Sequence, residues 1–158
     1  MPNDIIATKG DAAANSYATT DEAEAYFDDL YGADEWSSLD EDSQMRLLLT
    51  ATKQIDRLKM IFDKATATQA LKFPAGNSGT DDGFDRAKEA CILQAYFLLK
   101  NNDAIQEGYN LAIQGLKSEG LSSVSRSITG FNTLRRFHPD VLKLLAGFID
   151  LEFKTYRG

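Results

Sequence analysis

The sequence predicts a mainly α-helical domain, a small bundle of about four helices with one β-hairpin and a C-terminal helix. Apolar residues recur at helical spacing over most of the first hundred positions, whereas a later stretch alternates with a period of two. An apolar run then follows Pro139. The chain has 158 residues, 43% of them hydrophobic, which is enough for one domain with its own core.

The first helix is predicted from Thr20 to Leu30, after an N-terminal arm formed by residues 1–18. Thr19 is followed three positions later by Glu22, the spacing of a capping box in which each side chain binds the other residue's backbone N–H. The inward face is predicted to consist of Ala23, Tyr26, Phe27 and Leu30.

A longer helix is predicted from about Asp40 to Phe62. Ser38 and Glu41 have the spacing of a second capping box, and an apolar stripe runs from Met45 to Phe62. The remaining face carries basic residues, a pattern typical of an ordinary solvated surface: Arg46, Lys53, Arg57 and Lys59.

A polar loop is predicted over residues 63–84, which is long for a compact domain and is therefore expected to be anchored or functional. Leu71 and Phe73 are its predicted anchors. A third helix is predicted from Asp85 to about Lys100, ending at the pair Asn101-Asn102.

Beyond residue 110 the period changes from that of a helix to that of a strand. Polar and apolar residues alternate on both sides of Gly120, which predicts a hairpin near 112–128. The helical body is thus expected to cover 19–138. Pro139 suits the first position of a last helix, and residues 139–158 have more apolar side chains than one buried face needs. We expect a C-terminal docking helix there, with one face against a partner.

The formal charge of −7 is unevenly distributed. Residues 1–60 contain thirteen acids and five bases, whereas residues 111–158 contain four acids and seven bases. Such asymmetry is common in proteins that meet a partner by complementary charge, although a solvated acidic face would look the same. The acidic balance argues against tight binding driven by the nucleic-acid backbone.

The residues that usually carry catalysis are scarce in this chain. A single cysteine, Cys91, excludes an internal disulfide, and a single histidine, His138, removes most zinc sites. Gly76 and Gly79 are not followed by the Lys-Ser/Thr of a phosphate-binding loop. Cys91 is expected to be a buried apolar residue and His138 a helix-entry residue. The sequence predicts no enzyme, no cofactor and no metal site.

No apolar run approaches the ~20 residues of a membrane helix. Residues 1–4 lack the basic region and apolar stretch of a signal peptide. We therefore expect a soluble protein without a membrane partner, cytosolic when it is made.

Five ordered segments resemble those of tailed-phage head–tail connector proteins, also called adaptor or head-completion proteins. Many members of that family are labelled DnaT-like single-stranded DNA-binding proteins. The first segment includes Asn15-Ser16-Tyr17, Glu22-Ala23, Tyr26-Phe27 and Trp36, and the others are Thr50–Asp56, Leu71–Pro74, Gly115–Ser125 and Pro139–Leu145. At Ala75 the family usually has arginine.

The resemblance implies a structural virion protein. Such proteins form a homo-oligomeric ring, often of twelve copies, beneath the portal protein and join it to a tail-side neck or tail-terminator protein. Genomic DNA passes through the lumen without specific binding. The implied location is the head–tail neck of the virion, after a stage in the host cytoplasm.

Two functions follow, and their expected contact residues overlap in part. For the connector, the expected contacts toward the portal are Leu145, Phe148, Ile149, Phe153 and Tyr156, and the charged contacts are Arg126, Arg135 and Arg136. The alternative is a single-stranded DNA-binding or replication-accessory protein, which would use Arg135 and Arg136 with stacking aromatics at Phe131 and Phe137.

Overall fold

A computed structural model describes residues 4–76, 79–113, 118–121, 124–127 and 136–150. The mainly helical class is confirmed. The elements in chain order are α1 Thr20–Asp28, α2 Asp34–Ser37, α3 Glu41–Asp56, α4 Phe84–Ile113, β1 Ser118–Leu121, β2 Val124–Ser127 and α5 Pro139–Leu144. Within the described residues, no helix is long and apolar enough to cross a membrane.

Helix α1 begins with the predicted capping box. The Thr19 hydroxyl accepts a hydrogen bond from the Glu22 N–H at 3.2 Å, and the Glu22 carboxylate accepts one from the Thr19 N–H at 2.9 Å. The helix ends at Asp28, two residues before the predicted end. The short helix α2 was not predicted, and it buries Trp36 completely.

Helix α3 begins one residue later than predicted and ends six residues earlier, at Asp56. Its cap is Asp40, whose carboxylate accepts a hydrogen bond from the Ser43 N–H at 3.1 Å. The predicted capping box at Ser38 is wrong, because the Ser38 hydroxyl donates instead to the Glu35 carbonyl at 2.7 Å. Helix α3 packs along α4, and this contact forms the centre of the core.

Helix α4 continues past the predicted end at Asn101-Asn102 to Ile113. The Asn101 side chain donates to the Phe97 carbonyl at 2.9 Å, so its amide is satisfied within the helix and does not interrupt it.

Strands β1 and β2 pair antiparallel, with Leu121 opposite Val124. Strand β1 starts at Ser118, later than the alternation from residue 112 indicated, because α4 occupies residues 112 and 113.

The loop between α3 and α4 is anchored at Phe73, as predicted. Phe73 is buried, and its ring meets the Tyr17 ring edge-on with 5.9 Å between centroids. The buried side-chain amide of Gln69 donates to the carbonyls of Leu71, Lys72 and Pro74 at 3.1, 3.1 and 2.9 Å. Leu71 is half-buried against the core.

The predicted docking helix over 139–158 is wrong as a helix, because α5 ends at Leu144. Gly147, with a φ of +89°, turns the chain back toward α3. The Phe148 carbonyl then accepts a hydrogen bond from the Ile61 N–H at 3.0 Å, and the Asp150 N–H donates to the Lys59 carbonyl at 2.8 Å. The apolar residues of this segment up to Ile149 therefore close the domain's own core. Residues 151–158 lie outside the described residues.

Candidate nucleic-acid interface

One face of α3, extended by its C-cap residue Arg57, carries a line of exposed cations that we call the cationic stripe: Arg46, Lys53 and Arg57. Their spacings of seven and four residues place them on one side of a helix, together with the exposed Thr50. At 1.5 Å rise per residue, the successive backbone separations are about 10 Å and about 6 Å. The stripe thus presents three positive charges in a row.

Most other described cations are already held in ion pairs. Lys9 pairs with Asp82 at 2.6 Å, Lys88 with Glu22 at 2.6 Å, Arg86 with Asp81 at 2.8 Å, Lys100 with Glu35 at 2.5 Å and Lys143 with Asp140 at 2.8 Å. No acid of the described chain forms an ion pair within 4.0 Å of a stripe cation. The stripe therefore has its positive charge available to an external anion.

Asp56 lies next to Arg57 in the chain, but its carboxylate is bound to the interior of the domain. It accepts hydrogen bonds from the buried Tyr17 hydroxyl and, at 3.3 Å to each oxygen, from the Lys72 N–H. Tyr17 also accepts one from the Phe73 N–H at 3.2 Å. Burial raises the pKa of Asp56 and that of Tyr17. This network joins the N-terminal arm, α3 and the loop, and it engages the carboxylate of the acid that precedes Arg57 in the chain.

A groove of about 490 Å³ lies between α3 and α4, directly beside the stripe. Arg46 belongs to both features, and Thr50, on the same side of α3, also lines the groove. The leucines that line the groove are Leu39, Leu47, Leu98 and Leu99. A cationic edge and an apolar groove thus share one surface of the molecule.

Of the basic and aromatic residues predicted for DNA binding, the structure describes Arg136 and Phe137. Phe137 is only 6% exposed, so it is unavailable for base stacking and that assignment is corrected. Its burial follows from the anchoring of this segment to α4, where the Gln94 amide donates to the Arg136 carbonyl at 2.7 Å. The side chains of Phe131, Arg135 and Arg126 lie outside the described ones, although Arg126 pairs with Glu119 in the strand register.

The residues predicted to contact a portal are used inside the domain where the structure describes them. Leu145 and Ile149 are buried. Phe148 packs against the rings of Phe62 and Phe73, with centroids 5.8 and 5.5 Å apart. Phe153 and Tyr156 lie outside the described residues.

The remaining candidates for chemistry have structural roles. Cys91 is a buried apolar residue, as predicted, and burial raises the pKa of its thiol to about 11, which disfavours the nucleophilic thiolate. His138 caps α5, its Nδ1 accepting a hydrogen bond from the Asp140 N–H at 3.1 Å. Across the described part of the chain, no group of three or more His, Cys, Asp or Glu residues could hold a metal ion.

A row of cations on one helix face, none of them paired with a described acid, is the kind of surface that can bind a polyanion such as nucleic acid. Residues 5–108, which include α1 to α3 and most of α4, match the family described as "Putative DnaT-like ssDNA binding protein". The match covers more than half of the chain, which belongs to this family. No curated protein and no solved structure matches the chain.

The family match corrects one conclusion of the sequence analysis. The DnaT-like label that the resemblance implied is confirmed by the match. The matched family is described by single-stranded DNA binding and not as a virion component, so the description as a phage connector and structural virion protein is wrong. The alternative reading, a single-stranded DNA-binding protein, agrees better with the match. Arg46, Lys53 and Arg57 were assigned only to a solvated face, and their spacing on α3 is the signal that could have identified them.

Proposed function

We propose that this protein binds single-stranded DNA, in a replication-accessory role, with the cationic stripe of α3 as its contact to the phosphates. The observation that carries the proposal is the set of three exposed cations on one helix face, none of which forms an ion pair with an acid among the described residues. The family match supports it, because all three residues lie within the matched range.

The dimensions of the stripe suit an extended polyanion. From Arg46 to Arg57 the backbone rises about 16 Å, which spans several nucleotides at ~3.4 Å per nucleotide of a B-form strand. Exposed Arg and Lys side chains also have the reach to follow a strand that bends, since their stems are long and rotatable.

The rest of the domain limits the contact to this face. Within residues 5–108 there are nineteen acids and ten bases, so most of the surrounding surface repels phosphates. We therefore expect binding of moderate affinity through about three phosphate contacts. For single strands each contact contributes a slope of about −0.7 to the dependence of log K on log salt, which gives a total slope near −2.

The test is a fluorescence anisotropy titration of a labelled oligothymidine at 50 and 200 mM salt. Wild-type affinity is expected to fall roughly 20-fold between the two conditions, as follows from the slope above. The variant Arg46→Gln/Lys53→Gln/Arg57→Gln is expected to lose most of the binding and most of the salt dependence.

The matched control is Lys9→Gln/Arg86→Gln/Lys143→Gln, which removes the same three charges from cations held in ion pairs elsewhere. It is expected to bind nearly as well as the wild type. Equal losses in the two variants would show that total charge, not the stripe, governs binding. A wild type that does not bind at either salt concentration would overturn the proposed function.

A further inference from the structure

The groove beside the stripe offers a surface of a different chemistry. Leu98 forms its buried floor, and Leu39, Leu47 and Leu99 are half-buried around it. Arg46 and Thr50 form its α3 edge. A volume of about 490 Å³ lies within the ~300–1,000 Å³ typical of small-molecule sites.

The two edges of the groove differ in charge. The α3 edge carries Arg46, which forms no ion pair with the described acids, whereas on the α4 edge Lys100 is held by Glu35 at 2.5 Å and Asp103 is exposed. A phosphate backbone is therefore attracted to the α3 edge and repelled by Asp103. The bases of a strand bound in this way would lie on its side facing α4, over the leucines of the groove.

We propose that the α3–α4 groove receives unstacked bases of a single strand whose phosphates lie on the cationic stripe. This inference rests on the proposed function and adds the part of the ligand that the stripe does not recognise. An apolar surface covers the faces of a base. On opposite edges, the Asn102 side chain and the Thr50 hydroxyl can hydrogen-bond to the edge of a base, Thr50 as an acceptor because it donates its proton to the Arg46 carbonyl at 2.7 Å.

The groove gives the protein a means to prefer single strands. In a duplex the bases are stacked and paired, so their faces are not available to an apolar surface. The stripe alone would bind both forms, whereas the groove contributes only when bases are free to leave the stack.

The experiment compares two labelled oligonucleotides of equal length and phosphate number, an oligothymidine and an abasic strand, in titrations with the full chain. The wild type is expected to bind the oligothymidine at least tenfold more tightly. In Leu99→Ser that preference is expected to disappear, with the affinity for the abasic strand retained. Leu93→Ser is the matched control, because Leu93 is a half-buried leucine of α4 in a different groove.

The outcomes separate this inference from the proposed function. Equal wild-type affinity for the two strands would overturn the base contact and leave the stripe in place, whereas failure to bind either strand would overturn the proposed function itself. If Leu99→Ser does not unfold cooperatively, a strand containing 2-aminopurine tests the wild type directly. Its fluorescence is expected to change on binding, and an unchanged signal would overturn the inference. So would saturation of the groove by a second copy of the chain in the absence of DNA.

Discussion

At the scale of single residues, Gly83 shows how closely the loop and the C-terminal segment pack in front of α4. Its φ is +71°, and a Cβ atom there would lie 2.5 Å from the Phe73 ring and 2.9 Å from the Phe148 ring. Both rings belong to the aromatic cluster that closes the core. The position therefore needs glycine for its backbone and for its lack of a side chain.

We expect Gly83→Ala to lower the free energy of unfolding by about 1–2 kcal/mol from backbone strain and by a further 1–3 kcal/mol or so from overpacking. Gly79→Ala is the matched control, because Gly79 has a φ of +72° and nothing within 4 Å of the added atom. Gly79→Ala is expected to lose only the part of the free energy of unfolding that comes from backbone strain. Equilibrium urea unfolding measures both variants, and equal losses would contradict the packing argument.

At the scale of elements, the first turn of α1 links a helix cap to tertiary structure through Glu22. Its carboxylate accepts the Thr19 N–H and also lies 2.6 Å from the Lys88 ammonium on α4. Burial opposes ionisation of Glu22, but the hydrogen bonds from Lys88 and Thr19 outweigh it, so its pKa is lowered. The folded state therefore favours the carboxylate.

The sign of the pH effect follows from this shift. A lowered folded-state pKa stabilises the protein above the unfolded value of about 4.5, and this stability is lost as pH falls through the folded-state pKa. We expect Glu22→Gln to be less stable than wild type at neutral pH and the difference to shrink below pH ~4.5. Urea unfolding at several pH values measures it, with Glu24→Gln on the exposed face as the control. A difference that does not change with pH would contradict the prediction.

Local signals predicted the beginnings of elements better than their ends. The capping box at Thr19 and the start of α5 at Pro139 could be predicted, because a helix cap depends on residues only a few positions apart. The continuation of α4 through Asn101-Asn102 could not be predicted from the sequence. It depends on the Asn101 amide finding the Phe97 carbonyl rather than leaving the helix.

The end of α5 shows a second limit of sequence patterns. Periodicity indicated that residues after Leu144 are apolar, but it could not show that Gly147 would turn them back onto the chain after α3. An excess of apolar residues predicts that they are buried, but it does not indicate the surface against which they pack. Here the domain provides that surface itself, at Phe62 and Phe73.

At the scale of the whole molecule, the core extends beyond the family match, which ends at residue 108. Helix α5 packs on α4, and this helix and the turn after it add three buried side chains to the same cluster: Val141, Leu145 and Ile149. We therefore expect a chain ending at residue 135 to lose cooperative thermal unfolding, because the cluster would be exposed to water.

A single substitution tests the same point without removing chain. Leu145→Ala is expected to lower the free energy of unfolding by about 2–5 kcal/mol, whereas Leu30→Ala, at a 43% exposed leucine, should cost much less. Differential scanning calorimetry measures both variants. A chain ending at residue 135 that melts cooperatively at the wild-type temperature would contradict a shared core.

The candidate interface was only partly predictable from the sequence. The basic residues of α3 were identified, but their significance depends on which other cations are neutralised. That is decided by contacts between distant segments, such as Lys88 with Glu22 and Lys100 with Glu35. The aromatic candidate Phe137 failed for the same reason, since its burial is set by α4 and not by its neighbours in the chain.

The cationic stripe on a chain of charge −7 also determines how the molecule should meet a polyanion in solution. At 0.01 M salt the Debye length is about 30 Å, so the net negative charge of the protein repels an approaching DNA strand before the strand is close enough to be attracted by α3. At 0.15 M the Debye length is about 8 Å, so the strand interacts only with the charges on the protein face nearest to it. We expect the association rate, measured by stopped flow, to rise and then fall as salt increases, with productive encounters restricted to one orientation. A rate that falls steadily from the lowest salt would contradict this.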